Sequence, residues 1–262
     1  MNGPVLSVEN VTLRFGGLTA LSDLSLTLAA GELAGVIGPN GAGKTSLFNV
    51  LTGVYRPTEG SVRAFGRPLD GLKPFEVASL GVVRTFQNIR LFKELSVLDN
   101  VRLALHARQG PSVASTLVAR PQAARDEEAI RGQALHLLGR MDLAGKAAER
   151  AGGLPYGEQK RLEIARALAA EPRVLLLDEP AAGMNPSESA WLKEAIRSLR
   201  DEFSLSVLLI EHDMSVVMDL CGRLVVMDHG QKIAEGSPDQ VRADPRVLEA
   251  YLGTKKSARG AV

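Results

Sequence analysis

The sequence has one cysteine, Cys221, in 262 residues. A single thiol excludes an intramolecular disulfide framework and a cysteine-based zinc site, and it fits a reducing compartment. The plain reading of Cys221 is a small buried hydrophobe. A charge excess is also missing, since 31 Lys and Arg oppose 30 Asp and Glu, a net of +1. Nucleic-acid binders usually show a basic excess, so there is no general case for such a partner. No uncharged run reaches the ~18 residues of a membrane span, so any membrane role must come through other chains. The first fifteen residues have no basic stretch leading an apolar one, and their first basic residue is Arg14. That argues against a secretory signal. Internal repeats are absent too. What remains is 45% hydrophobic and 23% charged, an ordinary globular composition that rules out a disordered chain. The length allows one to two domains at ~150 residues each. The expected class is a soluble cytoplasmic α/β protein.

Five short apolar runs read as buried strands: Leu33–Ile37, Val82–Phe86, Val174–Leu177, Val207–Ile210 and Leu224–Met227. Continuous rather than alternating runs suit strands of a parallel sheet covered on both faces. Helical patterns lie between them. Trp191, Leu192, Ala195, Ile196 and Leu199 share one helical face. Asn185 as N-cap, Pro186 at the first position and Glu188 at the third mark that helix's start. The first thirty residues differ, because Leu6–Phe15 and Leu21–Leu28 alternate around Gly16 and Gly17 and predict an antiparallel flank. From about Val97 to Met141 no strand is evident. Ser96 and Asp99 box the start of one helix running to about Arg108. Ile130, Ala134, Leu137, Leu138 and Met141 mark another. Gly110–Ala124, with two prolines, reads as a mobile loop of this helical insertion. Thr254 to Val262 reads as a solvated tail.

Three strand ends carry chemistry. Gly38-Pro39-Asn40-Gly41-Ala42-Gly43-Lys44-Thr45 follows the strand Leu33–Ile37 and opens a helix, the setting that gives a phosphate loop its meaning. Inward backbone N–H groups and the helix start wrap phosphate oxygens. Lys44 can reach the β and γ phosphates, and the Thr45 hydroxyl can ligate Mg²⁺. The run Val174–Leu177 leads into Asp178-Glu179. Adjacent carboxylates at the end of a buried strand are costly without a partner. A metal supplies one, with Asp178 holding Mg²⁺ through water and Glu179 orienting or deprotonating the attacking water. Taken alone, the pair also fits a plain strand-to-loop boundary. The run Val207–Ile210 ends at Glu211-His212-Asp213. A lone histidine is usually structural, but here three strand ends converge on the edge where open α/β sheets bind ligands. His212 then becomes a γ-phosphate contact. His106, His136 and His229 have no such company.

The order of these pieces resembles that of ABC ATPases: the phosphate loop, Gln87, Leu154-Pro155-Tyr156-Gly157-Glu158-Gln159, the Asp-Glu strand and His212. The resemblance covers residues 4 to 253. Arg84-Thr85-Phe86-Gln87-Asn88-Ile89-Arg90-Leu91-Phe92, Ile210-Glu211-His212-Asp213-Met214 and Ala250-Tyr251-Leu252-Gly253 resemble the ATP-binding subunit of branched-chain amino acid importers. The resemblance implies a RecA-like parallel-sheet core at 1–87 and 158–253, with an antiparallel β flank and a helical subdomain at 88–157. Residues 254–262 fall outside as a disordered tail.

Further roles follow from the resemblance alone. Phe15 stacks on adenine, or is a strand-end core residue. Ala20 packs against the nucleoside, and Ser46 joins the phosphate-binding helix start. Gln87 touches Mg²⁺ or water, or is simply a polar strand end. Ala182-Gly183-Met184-Asn185 crosses a dimer interface, where Asn185 replaces the more usual Asp and its capping role is a full alternative explanation. The segment Pro155, Tyr156, Gly157 and Glu158 binds the ATP held by a second subunit, although Pro155 offers neither hydroxyl nor N–H. Glu158-Gln159-Lys160-Arg161 also reads as a charged helix start.

The implied protein is an ATP- and Mg²⁺-dependent motor on the cytoplasmic face of the inner membrane. It would work with two permease subunits and a second ATP-binding subunit, identical or similar. A substrate-binding protein would act indirectly, and no nucleic acid is involved. The alternatives are a soluble ABC ATPase acting on nucleic acid or ribosomes, and a subunit for another polar solute such as urea or amides. A phosphate-loop GTPase or kinase lacks support because no Asn-Lys-x-Asp motif occurs. A non-hydrolysing subunit is disfavoured by the presence of both Glu179 and His212.

Overall fold

The computed structural model describes residues 3–85, 89–109 and 120–257. Strands β1 (Leu6–Phe15) and β2 (Leu18–Leu28) form the expected antiparallel pair. Strand β3 (Leu33–Ile37) leads into helix α1 (Lys44–Leu51). Strands β4 (Glu59–Ala64) and β5 (Arg67–Pro68) extend the first sheet to the order β2-β1-β4-β5. Helix α2 (Pro74–Ser79) precedes β6 (Val82–Arg84). The helical region holds α3 (Val97–Gln109), α4 (Arg120–Arg140) and α5 (Tyr156–Leu168). Then come β7 (Val174–Asp178), α6 (Pro186–Glu202), β8 (Ser206–Ile210), α7 (Met214–Leu220), β9 (Arg223–Asp228) and β10 (Gln231–Gly236). Helices α8 (Pro238–Ala243) and α9 (Pro245–Ser257) close the described chain.

The second sheet has the order β10-β9-β3-β8-β7-β6. It is parallel from β9 to β6, and only β10 runs antiparallel, on β9. The apolar runs are buried on both faces, as a covered parallel sheet requires. Ala34, Val36, Leu176, Leu208 and Ile210 pack with α1 and the β1-β2 flank. Leu33, Leu175, Leu177, Val207 and Leu209 point the other way, into a cluster shared with α3, α4, α5 and α6. The period-2 side-chain alternation therefore joins the flank to one face and the helical region to the other.

Two sequence expectations change. Gly110–Ala124 is not all loop, because α4 already begins at Arg120; residues 110–119 lie outside the described residues. Pro121 sits in the first turn, where a missing N–H costs nothing and the fixed φ suits a helix. The tail also starts later than expected, since α9 runs through Ser257. Pro245 opens it in the same way, and Val247 and Tyr251, one helical turn apart, turn inward. Lys255 and Lys256 are good helix formers that let it continue. Residues 258–262 lie outside the described residues. Among the described residues no helix is long and apolar enough to cross a membrane.

Candidate active site

The parallel register brings the C-terminal ends of β3, β7 and β8 to one edge. From β3 the chain enters the glycine-rich loop. Gly38 passes so close to β9 that a Cβ would lie 2.1 Å from the Met227 carbonyl oxygen. Gly43 has φ +98, and its Cβ would lie 2.7 Å from the Ala20 carbonyl oxygen. Only glycine fits there. Gly43 is also the N-cap of α1 and gives no side-chain cap. The first N–H groups of α1 therefore lack a side-chain acceptor and suit an anion. Asn40, Gly41 and Thr45 are exposed, Gly43 and Ser46 half-buried, and Pro39 and Ala42 buried.

Lys44 is 7% exposed. Its ammonium donates to the carbonyls of Gly38 at 2.7 Å and Pro39 at 2.9 Å. Burial pushes its pKa down, while the charges of Glu179 and Asp178 hold it up. The ammonium, the uncapped helix start and the two strand-end carboxylates thus face one another across the loop.

Asp178 is buried, and its partner is Arg84 from the end of β6 at 2.5 Å, with both side chains almost fully enclosed. Arg84 also donates to Asn49 Oδ1 at 2.7 Å, and its guanidinium lies over the Phe48 ring. Arg84 carried no role in the sequence reading. The signal that could have found it is a charge closing an apolar strand next to the Asp-Glu strand. Asp178 and the exposed Thr45 hydroxyl are hard oxygen donors of the kind Mg²⁺ prefers, so the residues present fit that ion. Gln87 lies outside the described residues.

Glu179 has φ +48, left-handed for a non-glycine residue. Such a conformation costs on the order of 1–3 kcal/mol and persists only where neighbours enforce it. The Glu179 N–H donates to the Ile210 carbonyl at 2.9 Å. Its carboxylate lies 3.7 Å from His212 Nδ1, so the structure brings the two together. Glu211 is fully buried. Burial pushes its pKa up, and the Ala181 N–H, donating at 2.8 Å, works against that.

The opposite helix start is α5. Pro155 is its N-cap, with no side-chain cap. Tyr156 is 46% exposed. Its ring packs on Gly183 of the loop before α6, where an added Cβ would meet the ring at 3.0 Å. It therefore faces that loop rather than the helical insertion. A Cβ at Gly157 would lie 2.8 Å from Glu188 Oε1, so a side chain there would displace that carboxylate. Glu158 turns toward Lys146, which donates to its two oxygens at 2.7 and 2.6 Å, and not toward open solvent. Asn185 caps α6 in a full capping box with Glu188.

Phe15, at the end of β1, is 43% exposed and meets Tyr55 edge to face with centroids 5.0 Å apart. An exposed aromatic pair suits stacking on a flat ring. Ala20 is half-buried and lines Gly43 through its carbonyl. Tyr251 of α9 reaches the backbone of Gly38, and its burial raises the phenol pKa against that contact. Sequence reading gave neither Tyr251 nor Lys160 a role. Both bury a polar end deep in the fold, which periodicity alone cannot reveal.

Residues 21–182 match the family model described as ABC transporter, and residues 231–256 match that of the branched-chain amino acid ATP-binding cassette transporter. A high-affinity branched-chain amino acid transport ATP-binding protein of Pseudomonas aeruginosa is 46% identical over 97% of this chain and 99% of its own. The ADP conformation of an ATP-binding cassette of an ABC transporter superposes with a TM-score of 0.83 at 32% identity, covering 96% of this chain and 99% of that one. A dimeric, post-hydrolysis cassette bound to ADP and Pi superposes at 0.76 with 25% identity, covering 89% of this chain and 98% of that one. With a phosphate loop, paired carboxylates and a histidine at one sheet edge, the chain belongs to the ABC transporter family and is a nucleotide-binding ATPase within it.

Proposed function

We propose that this chain is the motor subunit of an importer of branched-chain amino acids, acting from the cytoplasmic face of a membrane through two permease subunits. The observation that carries the solute class is the match of residues 231–256, the β10-to-α9 segment, to the branched-chain amino acid cassette model. The test is to isolate the membrane subunits that co-purify with the chain and measure which solute they move. Uptake of leucine, isoleucine or valine driven by ATP supports the proposal. Uptake of urea or amides alone would assign another solute.

The chemistry divides among named residues. Lys44 and the N–H groups of the loop and α1 hold the β and γ phosphates. Phe15 and Ala20 flank the nucleoside. Thr45, Asp178 and Gln87 are the residues that would hold Mg²⁺, which would supply neutralisation of phosphate charge. Glu179 accepts a proton from water as the water oxygen bonds to the γ-phosphorus. The β–γ bridging bond then breaks, and ADP leaves with its electron pair. His212, 3.7 Å from Glu179, is the residue that would contact the γ-phosphate. The α/β core, 1–87 with 158–253, binds nucleotide. The helical insertion, 88–157, carries motion to the permeases.

A second chain completes the site. The α5 start, with Pro155, Tyr156, Gly157 and Glu158, faces the ATP of the partner. Pro155 lacks the hydroxyl and N–H of the usual residue, and the Tyr156 phenol can donate in its place. Tyr156→Phe keeps the ring on Gly183 and removes that donor. It should weaken ATP-driven dimerisation by at least about tenfold, the lower end for losing a hydrogen bond to a charged group. Sizing columns with and without ATP, in a slowly hydrolysing background, read this out. An unchanged dimer with a destabilised Tyr156→Ala would leave Tyr156 as packing on the 181–185 loop.

A further inference from the structure

We propose that Glu211 is a positioning residue: it clamps the turn after β7 to the turn after β8 and so aims Glu179. The inference rests on the proposed role of Glu179 as base. Glu211 is 0% exposed at the end of β8, where a carboxylate must have its oxygens satisfied. One oxygen, Oε1, accepts the Ala181 N–H at 2.8 Å. The other, Oε2, accepts the His212 N–H at 3.3 Å and lies 3.9 Å from His212 Nδ1. The two oxygens therefore reach two different loops. One loop carries Glu179 and the other carries His212.

The clamp acts where the backbone most needs holding. Glu179 sits at φ +48, two residues before Ala181. The turn is tied at one end by Glu179 N–H to the Ile210 carbonyl, at 2.9 Å. Glu211 ties the other end. Between these two ties Glu179 has no freedom to relax into a common backbone region without breaking one of them. A hydroxyl at position 211 could satisfy one N–H but could not span both loops, and a two-oxygen carboxylate does. Lys160 of α5, 2% exposed, is held charged against its burial first by Glu163 and then by Asp178, Glu179 and Glu211.

The experiment uses the full chain and compares Glu211→Ala, Glu211→Gln, Glu179→Gln and the double variant Glu179→Gln/Glu211→Ala. Glu211→Ala should lower kcat on the order of 10²-fold, the effect of a ~1 Å misplacement of a reacting group. Its KM and nucleotide affinity should stay within about twofold of the parent, because the phosphate loop is untouched. Glu211→Gln keeps one acceptor oxygen and should fall between. In single turnover, Glu211→Ala should add little to Glu179→Gln, since a residue acting through another is non-additive with it. A folded Glu211→Ala with parental kcat overturns the clamp, and so does a loss in the double variant equal to that in the parent. If Glu211→Ala does not fold, Glu211→Gln decides in both backgrounds on the same criteria. Parental turnover in Glu179→Gln would instead overturn the base assignment beneath it.

Discussion

Glu179→Gln is expected to keep nucleotide binding and to lose roughly 10²–10⁴-fold in turnover, the usual range for a lost general base. The substitution preserves side-chain length and shape. It also preserves the left-handed backbone at φ +48, because the ties to the Ile210 carbonyl and from Ala181 N–H to Glu211 do not use the Glu179 side chain. What changes is the ability to accept a proton. Lys44 loses one of the two carboxylates that hold its charge against burial. Asp178 remains, and bound phosphates add more negative charge, so the ammonium persists and affinity should hold. Steady-state phosphate release at saturating ATP, beside a direct binding titration, separates the two quantities. Parental turnover would show that another group, or none, takes the proton. Weakened binding with unchanged kcat would place Glu179 among the phosphate contacts.

What the sequence disclosed and what it hid follow one physical division. The phosphate loop was legible because its glycines, lysine and threonine are consecutive and sit between an apolar strand and a helix. The α6 start was legible for the same reason, since Asn185, Pro186 and Glu188 act within one turn. Pairings between distant strands were not. Asp178 meets Arg84 because β6 lies beside β7 in parallel register, with Arg84 opposite Leu176. The sequence pointed to a charge needing a partner but gave no address for it. Glu211 is the same case: it was visible as one of three titratable residues at a strand end, and its contact with Ala181 exists only because β8 lies beside β7. Strands with little apolar pattern were hidden as well. In β10 only Ala234 is buried, and β4 buries Val62 and Ala64, too little apolar pattern to separate either from loop. Proline misled at Pro121, where a residue read as a breaker starts a helix.

Lys44→Ala should act on the other half of the cycle, raising the nucleotide Kd and KM rather than lowering kcat alone. The Lys44 ammonium is enclosed, donates to two loop carbonyls at 2.7 and 2.9 Å and faces the charges of Glu179 and Asp178. When phosphates arrive it can give them charge-assisted hydrogen bonds, each worth about 1.5–3 kcal/mol. Losing one such contact corresponds to roughly 10–150-fold in affinity at 1.4 kcal/mol per decade. The N–H groups of the loop and the uncapped start of α1 survive the substitution, so binding should weaken rather than vanish. Lys44→Arg should not restore it. The planar guanidinium is larger, and the site is closed by Gly38 and Pro39 on one side and the strand-end carboxylates on the other. Calorimetric titration of the full chain with ATP, without Mg²⁺ to prevent turnover, gives the affinity directly. Thermal unfolding should change little, because the two carbonyls released lie on a loop that water can reach once the lysine is gone. Unchanged affinity in Lys44→Ala would mean that backbone donors alone hold the phosphates. A fall in thermal stability large enough to unfold the chain would make Lys44 a structural tie of the loop instead.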